Sequence, residues 1–270
     1  MCIRDRSRIP LWPAFRAIAA RELLRFVHQR ERFLAALVRP LVWLLVFAAG
    51  FRAALGLSII PPYQTYITYE TYIVPGLCGM ILLFNGMQSS LSLVYDREMG
   101  SMRLLLTAPL PRWYLLFSKL CGATFIGILQ CYAFLAIAAL FGIDHPPLGY
   151  VTILPALVLA GLMLGSLGLA LSSFIKQLEN FAGVMNFVIF PMFFLSSALY
   201  PLWKMQESSE ILYWICRVNP FTHAVELIRF ALHVDFSPWA LLWTLVATAV
   251  FTVLALWGYD PARGLIRRKS

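Results

Sequence analysis

The chain has 270 residues, 60% of them hydrophobic and only 13% charged, with a mean hydropathy of +0.76. A soluble domain carries roughly 25% charged residues, so the composition excludes an ordinary water-soluble enzyme and points to a polytopic, all-α integral membrane protein. The net charge of +9 does not call for a nucleic-acid partner, because Lys and Arg gather in the tails and short segments between apolar runs, where cytoplasmic loops carry them.

Residues 1–7 read as sequence foreign to the native protein. The first ~35 residues are Arg-rich and amphipathic rather than apolar, so no cleavable signal peptide is expected. Within 10–32, Trp12, Phe15, Ile18, Leu23 and Phe26 lean to one side and Arg21, Arg25, His28 and Arg32 to another. That pattern predicts an amphipathic helix lying in the membrane interface, with Arg toward anionic headgroups, rather than a solvated basic tail. The tail and this helix occupy 1–36.

Six apolar runs follow within a transmembrane domain at 37–259, each long enough to cross ~30 Å of hydrocarbon as a helix. They cover roughly 37–58, 72–95, 118–141, 148–173, 181–201 and 238–259. The first is entered at Arg39 and Pro40 and interrupted by Arg52. The segment 205–235 is too polar to cross lipid and too apolar for a free loop. It predicts two short helices broken at Asn219 and Pro220, re-entering the outer leaflet against protein, with Glu226 and Arg229 on the second. Non-helical backbone at that depth is tolerated only where protein or a water-lined cavity surrounds it. A basic tail, 260–270, ends the chain.

With the N-terminus inside, 18 of the 22 Lys and Arg fall on the cytoplasmic side, and only Arg52, Lys204, Arg217 and Arg229 fall outside. The imbalance predicts six spans with both termini cytoplasmic. Between the second and third spans a bare turn would suffice. Instead the chain runs through Asp96, Arg97, Glu98, Gly100 and Arg103 to breaks at Pro109 and Pro111 and then Arg112. A structured loop there suggests a surface gripped by another protein.

No Gly-Lys-Ser/Thr, HExxH or GxSxG sequence occurs. The five cysteines show no CxxC or metal-ligand spacing, and the four histidines have no convincing catalytic partner. No catalytic, cofactor or metal residues are assigned. Few ionisable residues lie within the spans, so a proton relay of the kind carriers use is not evident; energy for active transport would come from a partner. In the second span Asn85, Gln88, Ser89 and Ser92 share one helical face. An amide in lipid is costly, so this face lines either a substrate pathway or an interhelical contact; the sequence leaves both open. In the fourth span Gly161, Gly165 and Gly168 read as small residues that let a neighbour approach.

These segments together resemble the ABC type 2 permeases, membrane subunits of bacterial ABC exporters for drugs, lipids and polysaccharides. The likeness rests on the loop from Asp96 to Arg112 with Lys119, on Pro191, Leu195, Ser196, Ser197 and Pro201 closing the fifth span, and on Asn219, Pro220 and Arg229 before the sixth. Two positions depart: Arg103 stands where many members have an acidic residue, and Ser197 where Gly is usual. The resemblance implies a dimeric permease, as homodimer or with a close paralogue, in the bacterial cytoplasmic membrane. It implies a separate ATPase that binds ATP, with 96–112 as coupling loop: Asp96, Arg97, Glu98, Gly100, Arg103, Pro109 and Arg112 facing it. Largely uncharged spans favour an amphipathic, lipid-like or glycan cargo moving outward. The competing classes are a secondary carrier and an integral-membrane enzyme acting on lipid.

Overall fold

The computed structural model describes residues 37–46, 61–63, 67–98, 111–175 and 177–258, with Pro13, Arg16, Ala20 and Leu24. Most of the expected amphipathic segment, most of the coupling loop, Arg52 and the basic tail lie outside them; the four isolated N-terminal positions are helical and exposed.

Nine helices make up the described chain: α1 Leu37–Val46, α2 Tyr69–Glu98, α3 Arg112–Leu140, α4 Gly149–Phe174, α5 Leu178–Phe194, α6 Leu202–Ser208, α7 Glu210–Val218, α8 Pro220–Leu232 and α9 Pro238–Gly258. Four of them, α2, α3, α4 and α9, are long and apolar enough to cross a membrane; α1 and α5 are shorter apolar helices. Helix boundaries follow local chemistry. Pro111 caps α3 in extended geometry, so the helix begins at Arg112, six residues before the span expected at 118. Its other end closes in a Schellman turn: Gly142 takes φ +80°, and the Ile143 N–H reaches the Ala138 carbonyl at 3.1 Å. α5 stops at Phe194 rather than 201. The expected pair of short helices in 205–235 is three, because Ser209 adopts an extended conformation between α6 and α7.

α4 is the central helix, packing against α2, α3, α8 and α9. Small residues make that possible. A Cβ on Gly86 of α2 would stand 2.9 Å from the Gly165 Cα and 3.0 Å from the Leu164 oxygen, so the two backbones touch there. At the start of α4, Gly149 abuts the Leu232 carbonyl that ends α8, and Thr152 Oγ1 donates to the Ala231 oxygen at 2.6 Å. One large apolar cluster runs through α1, α2, α3, α4, α5, α8 and α9, and a small one, including Leu93, Leu116, Leu120 and Ala255, joins the ends nearer the loop. α9 buries only Ala240, Thr244 and Ala255 and leaves Leu242, Val246, Val250 and Val253 exposed. An apolar surface of that kind is at home in lipid.

Gly86→Ala is expected to destabilise the bundle by about 1–3 kcal/mol, because the opposing atoms are backbone. Gly183→Ala in α5, where nothing lies within 4 Å of the added methyl, should instead gain up to ~1 kcal/mol from helix propensity. Thermal midpoints of the two variants in detergent should move in opposite directions.

Candidate functional site

The segment after α5 must leave helical geometry, and its backbone must then find partners inside an apolar bundle. Those partners come from α2 and α8. Tyr69 Oη donates to the Leu199 oxygen and Tyr72 Oη to the Ser197 oxygen, both at 2.9 Å. Arg229 of α8 donates from Nη2 to the same Ser197 oxygen at 2.8 Å, filling both lone pairs of one carbonyl. Gly76 lets α2 approach this turn: a Cβ there would meet the Ala198 oxygen at 2.6 Å.

Arg229 is 2% exposed. Its other contacts are an ion pair with Glu226 and the face of Tyr72, whose ring centre lies 4.1 Å from Cζ. Both α8 residues singled out by sequence therefore meet. Asn219 and Pro220 start that helix. Asn219 Oδ1 accepts from the Phe221 N–H at 2.9 Å, while its Nδ2 donates to the Met192 and Leu195 carbonyls at 2.8 and 2.6 Å. One side chain thus caps α8 and ties it to the end of α5. Pro220 at the first helical position needs no N–H there.

A second layer of aromatic groups adjoins this knot. His233 Nδ1 lies 2.9 Å from the Arg229 oxygen, its ring packs edge-on to Tyr63 at 4.5 Å, and His145 packs edge-on to His233 at 5.4 Å. Neither nitrogen of His145, nor the Tyr63 hydroxyl, has a hydrogen-bond partner among the described residues. Burial, reinforced by His233, pushes His145 down to about 4; burial also lowers His233 and pushes Tyr63 up to about 12.

The polar face of α2 divides in two. Asn85 Nδ2 donates to the Ala123 oxygen of α3 at 2.6 Å, and Ser92 Oγ accepts from Lys119 of α3 at 2.6 Å while donating to the Ser89 oxygen at 2.7 Å. Those contacts are interhelical glue or local backbone bonds. Gln88 makes no hydrogen bond among the described residues and lines a narrow cleft with Asn85, Arg39 and Gln130. At the far end of α2, Asp96 and Arg97 lie in the last turn, and Glu98 accepts the Leu178 N–H at 3.2 Å, placing a carboxylate at the N-terminus of α5. Arg112 opens α3. Gly100, Arg103 and Pro109 lie outside the described residues.

With this geometry in hand, the ABC-2 type transporter family model matches residues 13–233. The chain belongs to the ABC-2 type transporter family. It is similar to the ycf38 protein of Porphyra purpurea, named as a transport permease, with 29% identity over 79% of this chain and 72% of that one. The ycf38 protein of Cyanophora paradoxa is 28% identical over 76% and 70%. YbhR of Escherichia coli K12, named as a multidrug ABC transporter permease, is 30% identical over 77% of this chain and 55% of its own length. The family is one of transport permeases rather than catalytic enzymes.

In this permease the residues that sequence reasoning missed are Tyr63, Tyr69, Tyr72, His145 and the Ser197 carbonyl. A tyrosine pair at i, i+3 beside a span start was the available signal for two of them. Arg229→Met should cost about 3–5 kcal/mol, because it leaves the part-buried Glu226 carboxylate without its ion pair and the Ser197 carbonyl with one donor instead of two; Arg229→Lys keeps the charge, loses the fork geometry and should recover part of the thermal midpoint. The buried His145 gives a second expectation. Its folded pKa is depressed from 6.5 to about 4, so the unfolded chain binds the extra proton between those values. Stability is fully present above pH 6.5 and falls as pH drops toward 4, by about 2 kcal/mol at pH 5. Midpoints measured from pH 7.5 to 4.5 should show that fall, and His145→Asn should flatten it.

Proposed function

We propose that this chain is the membrane subunit of an ATP-driven exporter, working as a dimer with a separate ATPase that binds the ATP. In this reading it has six spans, α1 and α5 among them, both termini face the cytoplasm of a bacterial inner membrane, and α6–α8 form the re-entrant element. The cargo is amphipathic, lipid-like or glycan in kind.

The observation that carries the proposal is the double attachment of α2 to α5. The loop 96–112 would receive the ATPase, and α2 leaves it as one helix of 30 residues. At its loop end Glu98 holds the first N–H of α5. At its far end Tyr69 and Tyr72 hold the turn that follows α5. A displacement at the loop therefore has a continuous mechanical route to the Arg229 knot without any nucleotide on this chain. The multidrug permease name carried by YbhR supports an outward direction.

The loop is the place to test this. Gly100→Val and Glu98→Lys, co-expressed with the partner ATPase, should leave the permease in the membrane. Co-purification and substrate-stimulated hydrolysis should fall in both, and for Glu98→Lys by the ~2–5 kcal/mol of one lost desolvated charge pair. Glu98→Gln separates the two roles of Glu98. An amide oxygen can still accept from Leu178 but cannot pair with a basic residue of the ATPase. Normal ATPase binding and transport in both Gly100→Val and Glu98→Lys would remove the docking assignment.

A further inference from the structure

The cleft between α1, α2 and α3 holds polar groups that the fold itself does not use. Arg39 lays its guanidinium carbon 3.8 Å from the centre of the Phe84 ring and has no acidic partner among the described residues. The charge count puts Arg39 on the cytoplasmic side, but the structure sets it against Phe84, which is 11 residues, roughly 16 Å, from Tyr95 along α2, about half the thickness of a hydrocarbon core of ~30 Å. A cation at that depth is costly and marks a functional site unless something neutralises it. The Phe84 face compensates only in part. Beside it Gln130, 3% exposed, leaves Oε1 without a partner among the described residues, and Gln88 likewise makes no hydrogen bond. Buried amides in native proteins are normally satisfied. Asn85, by contrast, is held by Ala123 and stiffens the wall.

Together the open groups describe a complement. Arg39 and the Gln88 amide offer N–H donors to an oxyanion, and Gln130 Oε1 offers an acceptor to a hydroxyl beside it. The remaining lining, Pro40, Met80, Ile81 and Phe84, is apolar, and Val38 and Val42 on α1 are exposed alongside. The space is about 20 Å³, room for one oxygen-sized group, so a head group would insert a single oxygen and keep its remaining polar atoms at the mouth of the cleft. We propose that Arg39, Gln88 and Gln130 form a recognition site for the acidic, hydroxyl-bearing head of an amphiphile that enters sideways past α1 and keeps its tail in lipid. As a statement about cargo this rests on the permease reading above; as a binding site it does not.

The test uses full-length permease in phosphatidylcholine nanodiscs, titrated with fluorescent phosphatidylglycerol, which carries a phosphodiester and free hydroxyls. Phosphatidylglycerol should bind at least tenfold more tightly than labelled phosphatidylcholine. Arg39→Gln should abolish that preference, Arg39→Lys should keep part of it, and Gln130→Leu should weaken binding several-fold. Should Arg39→Gln fail to reach the membrane, Gln88→Leu, at a residue that makes no hydrogen bond among the described residues, replaces it with the same expectation. Equal affinity for the two lipids, or a preference untouched by these variants, overturns the site. Displacement by inorganic phosphate at comparable concentration would show a bare anion site and overturn the amphiphile assignment. With the ATPase added, Arg39-dependent binding without ATP-driven movement of phosphatidylglycerol would leave the site standing and count against the exporter reading. ATP-driven movement indifferent to Arg39→Gln would support the exporter and remove the site.

Discussion

The carbonyl of Ser197 is the constraint around which much of this bundle is arranged. α5 ends at Phe194, and the chain must turn back within an apolar interior where no water waits for its peptide groups. An unpaired carbonyl there would cost about 1–3 kcal/mol. Tyr72 and Arg229 both donate to it, and each then needs its own accommodation. The guanidinium requires Glu226 and the Tyr72 face, and the Tyr72 hydroxyl requires α2 to pass close by, which Gly76 permits. One break in one helix thereby dictates residue choice on two others.

α4 answers a different requirement. In lipid there is little hydrophobic gain in bringing apolar helices together, so close packing has to supply the attraction. Gly86 against Gly165 brings α2 and α4 into backbone contact, and Gly149 does the same for the end of α8. α9 lies along α4 yet remains largely exposed, so the described bundle has a dense side around α4 and an apolar outer side.

Much of this was legible in the sequence, and what was not has identifiable causes. Apolar run length located the four long apolar helices α2, α3, α4 and α9, because hydrocarbon thickness imposes it; α1 and α5 fall short of that length among the described residues. The end of α5 was misplaced by seven residues, since Leu195 to Tyr200 remain apolar or small and hydropathy does not register a backbone turn satisfied by side chains from elsewhere. α3 began early because Pro111 sets a helix start that hydropathy ignores. The Asn219–Pro220 break and the Glu226–Arg229 pair were visible as local patterns. Their partners were not: Tyr69 and Tyr72 bond residues more than 120 positions away. The shared face of Asn85, Gln88, Ser89 and Ser92 was visible, but its division was not, because only the position of α3 separates Asn85 and Ser92, which are engaged, from Gln88, which is open.

The two joints between α2 and α5 are unequal. The one at the turn after α5 consists of buried tyrosine bonds in a low-dielectric setting, backed by an ion pair, where each bond is strong and its loss leaves a stranded group. The one at the loop is, among the described residues, a bond from Leu178 to an exposed carboxylate, in competition with water. When two rods are joined rigidly at one end and lightly at the other, the light end opens and the rigid end serves as the pivot. Loss of the Glu98 bond would therefore free the loop end of α5 while its other end stayed anchored to α2 at the Ser197 turn.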